Sequence, residues 1–227
     1  MFPTLVNTLA VVAGSLAGLA FHGRLAPRFR VILFQAIGLA TLVIGLQEAL
    51  QTRDIPFLAL SMIAGALLGE WIDIENRLRT AGEWIKHSIG QQQNPEFIDG
   101  FVNASLLFCV GAMSVVGSFR AGVEGNGDIL YTKSLLDGHA AIFLAGTMGA
   151  GVMASAFSVL GFQGGLTLTF AAFGTGLPDY VIREVGAAGG LLIVGISINM
   201  LDLGQVRVGN LLPAMLLAGI CAWLKAG

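Results

Sequence analysis

From Lys133 to Gly151 the chain reads K-S-L-L-D-G-H-A-A-I-F-L-A-G-T-M-G-A-G. Lys133, Asp137 and His139 open the stretch at helical spacing, and an apolar run carrying Gly146, Gly149 and Gly151 follows. Charges at the mouth of an apolar segment, ahead of a backbone able to kink, belong either to a pathway through a membrane or to a helix-packing seam.

Composition sets the medium. Of 227 residues, 55% are hydrophobic and 11% charged, with mean hydropathy +0.80. A soluble domain carries about 25% charged residues. The expectation is an all-α polytopic transmembrane bundle, one domain over residues 1–227, with the lipid bilayer as its surroundings. A net charge of -2 without a basic face excludes a nucleic-acid partner. Cys109 and Cys221 sit inside apolar runs and read as small buried hydrophobes.

Working outward, apolar segments fall at 4–21, 31–50, 55–72, 97–119, 134–160, 164–177, 185–201 and 208–224. Eight crossings are expected. Segment 134–160 is overlong for the ~20 residues a crossing needs and reads as tilted or broken. Segment 164–177 is short and ends in Gly174-Thr175-Gly176-Leu177-Pro178, so it either crosses or is re-entrant, which lowers the count to seven. No basic stretch precedes the first apolar run, so a cleavable signal is not expected. Arg24, Arg28 and Arg30 follow that run, and Arg77, Arg79 and Lys86 follow the third. Positive charge marks those sides as cytoplasmic and places the N-terminus outside. The stretch 71–95, which carries the second group, holds Ile74, Leu78, Ala81, Ile85 and Ile89 at spacings of three and four, with Trp71 and Trp84 suited to an interface. It reads either as a cytoplasmic helix on the membrane, with a Gln91-to-Pro95 linker, or as a continuation of the third crossing.

Ala36 to Leu46 aligns with Gly186 to Ile196, Gly45 over Gly195, and Leu58 to Gly65 resembles Leu212 to Gly219. An offset of five crossings gives the copies opposite orientation, which suggests the inverted repeat common in transporters.

Asn7, the run Cys109-Val-Gly-Ala-Met-Ser-Val-Val-Gly-Ser118, the run Lys133-Ser-Leu-Leu-Asp-Gly138 and Gln163-Gly-Gly-Leu-Thr167 together resemble the YdfK/YqgA family of prokaryotic inner-membrane proteins. The resemblance covers nearly the whole chain. It implies a prokaryotic cytoplasmic membrane and a polytopic helical fold, and it supplies no activity or catalytic residues.

Candidate pathway residues follow from charge and spacing. Lys133 and Asp137 share a helix face, and Asp137 with His139 could relay protons or hold a cation; the plain alternative is an interfacial ion pair. Asp99 and Asn103, four apart, could bind a hard cation or serve as a helix-terminal charge and a helix-joining amide. Asn7 and Asn199 are polar groups in apolar runs and line a cavity in the same reading. Gly146, Gly149 and Gly151 crowd the centre of the overlong segment, where unwinding would bare carbonyls. Gly14/Gly18, Gly65/Gly69, Gly161/Gly165 and Gly186/Gly190 are four apart, which suits close helix packing and leaves room for a homodimer.

Nucleotide, zinc-protease and serine-hydrolase motifs are absent. With three scattered histidines, no cofactor or metal is expected, and no enzyme. A small secondary transporter or ion channel for an unknown ion or solute is the leading reading. A membrane scaffold comes second, and a lipid head-group enzyme third.

Overall fold

The computed structural model describes residues 1–22, 26–91, 94–173 and 178–226. Arg24, Gln92, Gln93 and the Gly174-to-Leu177 helix stop lie outside the described residues. Ten α-helices follow in order: α1 Phe2–Leu19, α2 Pro27–Ala49, α3 Ile55–Ile72, α4 Ile74–Ser88, α5 Phe97–Cys109, α6 Ala112–Phe119, α7 Asp128–Met148, α8 Gly151–Phe173, α9 Asp179–Met200 and α10 Pro213–Ala226. A π-helical turn, Arg120–Glu124, extends α6, and a 3-10 turn, Val208–Leu211, precedes α10. Among the described residues there is no strand. In lipid an open strand edge would leave backbone groups without partners, so helices are the expected outcome.

Among the described residues six helices (α1, α2, α3, α8, α9, and α10 with its 3-10 turn) are long and apolar enough to cross a membrane, and the bent pair α5–α6, taken as one span, makes a seventh. Helix α7, at 21 residues, is long enough as well. Its Lys133, Asp137 and His139 lower its hydropathy. The outer surface is apolar, as lipid-facing helices require: Leu9, Leu67 and Leu216 are 66%, 68% and 71% exposed.

Glycine contacts give the directions. Gly14 meets Gly138 and Gly18 meets Ile142, so α1 and α7 run parallel. Gly38 meets Leu201 and Gly45 meets Val194, so α2 and α9 run antiparallel. Gly65 against Ala214 and Gly69 against Asn210 set α3 antiparallel to α10. A Cβ on Gly69 would lie 1.9 Å from the Asn210 carbonyl, so only glycine permits that approach. Thr4 with Thr167 and Asn7 with Gln163 set α1 antiparallel to α8. Gly151 against Phe97 and Ser105 with Ser158 set α5 parallel to α8. All five relations are those of eight segments crossing alternately. Gly14/Gly18 and Gly65/Gly69 are thus used inside the chain and Gly190 lies against Gly45 and Ala49 of α2, whereas Gly161 and Gly165 face open space.

Two units result. Helices α1, α5, α7 and α8 pack together, and the hairpins α2–α3 and α9–α10 interlock as a second group. Polar clamps tie the hairpins at both ends. Glu184 accepts from Thr52 (2.6 Å), Lys225 pairs with Asp54, Arg207 pairs with Glu70 and Asp73, and Asn210 donates to Glu70 (2.6 Å).

Three expectations change. Segment 134–160 is not one overlong crossing: α7 ends at Met148, Gly149 (φ 78, ψ −157) turns the chain, and α8 begins at Gly151. The described part of segment 164–177, residues 164–173, is no separate short piece but the later part of the 23-residue α8. The Gly161-to-Gly165 run stays helical because a backbone in lipid satisfies its hydrogen bonds best within its own helix. Segment 97–119 is the broken one, bent by 55° between α5 and α6. Segment 71–95 holds a separate helix, α4, set off from α3 by Asp73 at φ 55. Its Leu78 and Ile85 pack on the core and its Gly82 lies against Phe101.

Candidate functional site

The site forms where the fourth crossing breaks. Val110 is extended and Gly111 takes φ 130, ψ 154, a conformation open essentially to glycine alone. The break separates the last carbonyls of α5 from the rest of the crossing. One of them, the Phe108 carbonyl, accepts from Lys133 Nζ at 2.7 Å and from Ser114 Oγ at 3.2 Å. Lys133 thus holds a cation at the negative end of a half-helix, where the helix dipole favours it.

Lys133 also pairs with Asp137, one turn along α7. Both are buried, at 5% and 8% exposure. Such a pair offsets its desolvation only when further hydrogen bonds satisfy it. These come from α1 and α8. Asn7 Nδ2 donates to Asp137 Oδ2 at 2.9 Å and to Gln163 Oε1 at 2.9 Å. Gln163 is held in turn: its carbonyl accepts from Thr167 (2.8 Å) and from Ser118 of α6 (3.3 Å). Asn7 and Gln163 are fully enclosed, yet Asn7 Oδ1 and Gln163 Nε2 have no hydrogen-bond partner among the described residues. Five elements (α1, α5, α6, α7 and α8) therefore meet at one polar chain within an apolar bundle.

A half-open cavity of about 480 Å³ borders this cluster. Its walls are Leu33, Ile37, Thr41, Ile44 and Glu48 from α2, the break from Leu107 to Ser114, Leu136, Ala140 and Phe143 from α7, and Ile193 from α9. Lys133 and Asp137 lie at its lining. It sits between the two helical units, and its surface is overwhelmingly apolar.

The other candidates lie elsewhere. His139 is exposed on the far face of α7, its Nδ1 2.6 Å from the Leu135 carbonyl. Asp99 is exposed and pairs with Arg79 at 3.1 Å; Asn103 is half-buried one turn on. Asn199 closes the loop after α9, donating to the Val206 carbonyl and accepting from its N–H, both at 2.7 Å. Gly146, Gly149 and Gly151 are at the α7–α8 turn, not mid-crossing. A Cβ on Gly149 would meet His22 at 3.1 Å, and one on Gly151 the Phe97 carbonyl at 1.9 Å, so these glycines serve close packing. Gln163, Ser114, Ser118 and the Phe108 carbonyl were not candidates from charge and spacing; an enclosed amide in an apolar helix was the available signal for Gln163. Among the described residues no three His, Cys, Asp or Glu side chains gather as metal ligands do.

Fold and site together define a polytopic helical membrane protein with a discontinuous crossing and a buried ion pair at the break. The chain belongs to the family described as "Protein of unknown function (DUF554)", whose model matches residues 2–223. It is 30% identical over 221 residues to the "Uncharacterized membrane protein YdfK" of Bacillus subtilis (strain 168), covering 96% of this chain and 93% of that one. It is 31% identical over 220 residues to the "Uncharacterized protein YqgA" of Escherichia coli (strain K12), covering 94% and 92%. No solved structure matches. The four stretches that carry the family resemblance, around Asn7, Gly111, Lys133 and Gln163, are the ones that converge on the polar chain.

Proposed function

We propose that the protein is a small secondary transporter of the prokaryotic cytoplasmic membrane, with the N-terminus outside. In this reading its pathway runs through the cavity between the two helical units. The observation that carries the reading is the broken α5–α6 crossing, with an ionisable Lys133–Asp137 pair bordering an open cavity at the break. Discontinuous helices with charged groups at their inner ends are the recurrent binding-site construction of secondary carriers. Ionisable groups within a membrane are costly and rarely kept without use.

The hairpin geometry supports an inverted repeat. The aligned segments are α2 with α9 and α3 with α10, and each member packs antiparallel against its counterpart. Rocking of this interlocked group against α1, α5, α7 and α8 would open the cavity to alternate sides. Helix α4, with Trp84 71% exposed, suits the cytoplasmic interface. A homodimer would use the face around Gly161 and Gly165, which no helix among the described residues approaches within 4 Å of a Cβ there.

The test is ion flux in proteoliposomes loaded with a pH-sensitive dye, under imposed gradients of a panel of small organic and inorganic ions. Wild type is expected to move protons with at least one of them, and Asp137→Asn to match empty liposomes. Equal flux in wild type and variant removes Asp137 from the pathway. No flux in wild type with any ion of the panel removes transport.

A further inference from the structure

Resting on that reading, the geometry points to the substrate class: the cavity takes an organic monocarboxylate with an apolar body, held by Lys133 and accompanied by one proton on Asp137.

Charge balance inside the bundle is the first argument. Lys133 and Asp137 neutralise each other as they stand. A carboxylate that takes Lys133 from Asp137 would leave one uncompensated negative charge in an apolar interior. A proton on Asp137 alone would leave one uncompensated positive charge. Either event costs heavily, and the two together cost little, so each favours the other. The groups facing Asp137 fit this arithmetic. Lys133 comes from its own helix, and the uncharged Asn7 and Gln163 come from α1 and α8. The Phe108 carbonyl and the Cys109 thiol come from α5, Gly111 from the break and Ser114 from α6. Glu48 stands on the α2 wall of the same cavity.

The amide chain supplies the second argument, because it is built to serve both states of Asp137. With Asp137 ionised, Asn7 Nδ2 donates to it and to Gln163 Oε1, and the two atoms left over are Asn7 Oδ1 and Gln163 Nε2. Turning both amides over puts oxygen and nitrogen in each other's places. Asn7 Oδ1 then accepts from protonated Asp137 and from Gln163 Nε2 across the same two 2.9 Å separations. The atoms without partners in one state are those the other state uses. A purely structural ion pair has no need of that reserve.

The cavity supplies the third. Its volume of about 480 Å³ falls within the ~300–1,000 Å³ of small-molecule sites. Apart from Thr41 and Glu48 of α2 and the Lys133–Asp137 pair, the walls from α2, α7 and α9 are aliphatic and aromatic, which suits an apolar body. Lys133 is a single compact ammonium among the described lining residues, without an arginine fork. That matches one carboxylate and leaves a dianionic phosphate short of donors.

The experiment is calorimetric titration of benzoate into the protein in lipid nanodiscs at pH 6, 7 and 8. Each pH uses two buffers of different ionisation heat, which gives the protons exchanged per ligand. Wild type is expected to bind one benzoate with uptake of one proton, the affinity falling about tenfold per pH unit. Asp137→Asn is expected to bind without proton uptake and independently of pH. Lys133→Gln/Asp137→Asn, neutral at both positions, is expected to fold and to bind at least tenfold more weakly than Asp137→Asn. Absence of saturable benzoate binding to wild type overturns the proposal, as does pH-independent binding or proton release. If Asp137→Asn does not fold, the wild-type proton count decides. Proton-linked benzoate binding without flux would defeat transport and leave this site standing; flux of another ion without benzoate binding would do the reverse.

Discussion

At Gly111 and at Gly149 the backbone leaves helical geometry through a glycine at positive φ, with φ 130 and φ 78. What surrounds the two glycines differs. Around Gly149, α7 turns into α8 in two residues, with His22 close by and Phe97 against Gly151; the glycines there let helices touch. Around Gly111 a Cβ would meet nothing nearer than Ile193 Cδ1 at 3.6 Å. That break lies with its backbone against Gly189 of α9, bares the Phe108 carbonyl to Lys133 and opens on the cavity. At the α7–α8 turn glycine makes room for neighbouring atoms, whereas at Gly111 the backbone conformation, and not a lack of room for a Cβ, calls for glycine.

The largest effect should come from splitting the pair at the Gly111 break. Lys133→Met leaves Asp137 buried without its cation, and a loss of about 3–5 kcal/mol is expected in SDS-titration unfolding. Lys133→Met/Asp137→Asn should recover most of it. If the single variant is as stable as wild type, the pair is not buried as described. The scaffold glycines come next. Gly149→Ala forces a side chain into a glycine-only region of backbone space, at about 1–3 kcal/mol in the same assay; no loss would mean the turn can relax. Asn7→Ala removes two hydrogen bonds from the polar chain and should cost about 1 kcal/mol, because polar contacts between membrane helices are individually modest.

The smallest effect is expected far from both breaks. Hydrogen bonding from Lys225 holds the Asp54 carboxyl below its ordinary range. A depressed folded value means the unfolded chain binds the proton more readily. The stabilisation is therefore present above the unfolded value and is lost as pH falls through the folded one. Lys225→Gln should lower the unfolding temperature slightly at neutral pH, with the difference closing at acid pH. A difference that grew toward acid would contradict the pairing.

How much of this was legible in the chain depends on the distance over which each feature is determined. Hydropathy placed most crossings, because the bilayer acts on every residue locally. It misplaced the boundary near Gly149, since glycine spacing alone does not tell a mid-helix kink from a two-residue turn. Gln163 falls between two apolar segments, whereas its side-chain oxygen accepts from Asn7 of α1, some 156 positions away in sequence. Lys133 and Asp137 stood out because i, i+4 charges need only one helix. His139 looked like their companion by proximity and is carried to the opposite face by the helical turn. The break at Gly111 was hidden because Cys109 to Ser118 is apolar enough to read as continuous helix. The anchor that fixes it, a carbonyl held by Lys133, is formed between helices.

The comparison of the two glycines reduces to one measurement: initial proton flux per folded protein in proteoliposomes carrying Gly111→Ala or Gly149→Ala. With the working level at the broken crossing, Gly111→Ala should lose flux by at least about tenfold, since small misplacements of a site's groups have large rate effects. Gly149→Ala should stay within about twofold of wild type, its cost appearing as stability. Normal flux in Gly111→Ala, or loss confined to Gly149→Ala, would contradict the account.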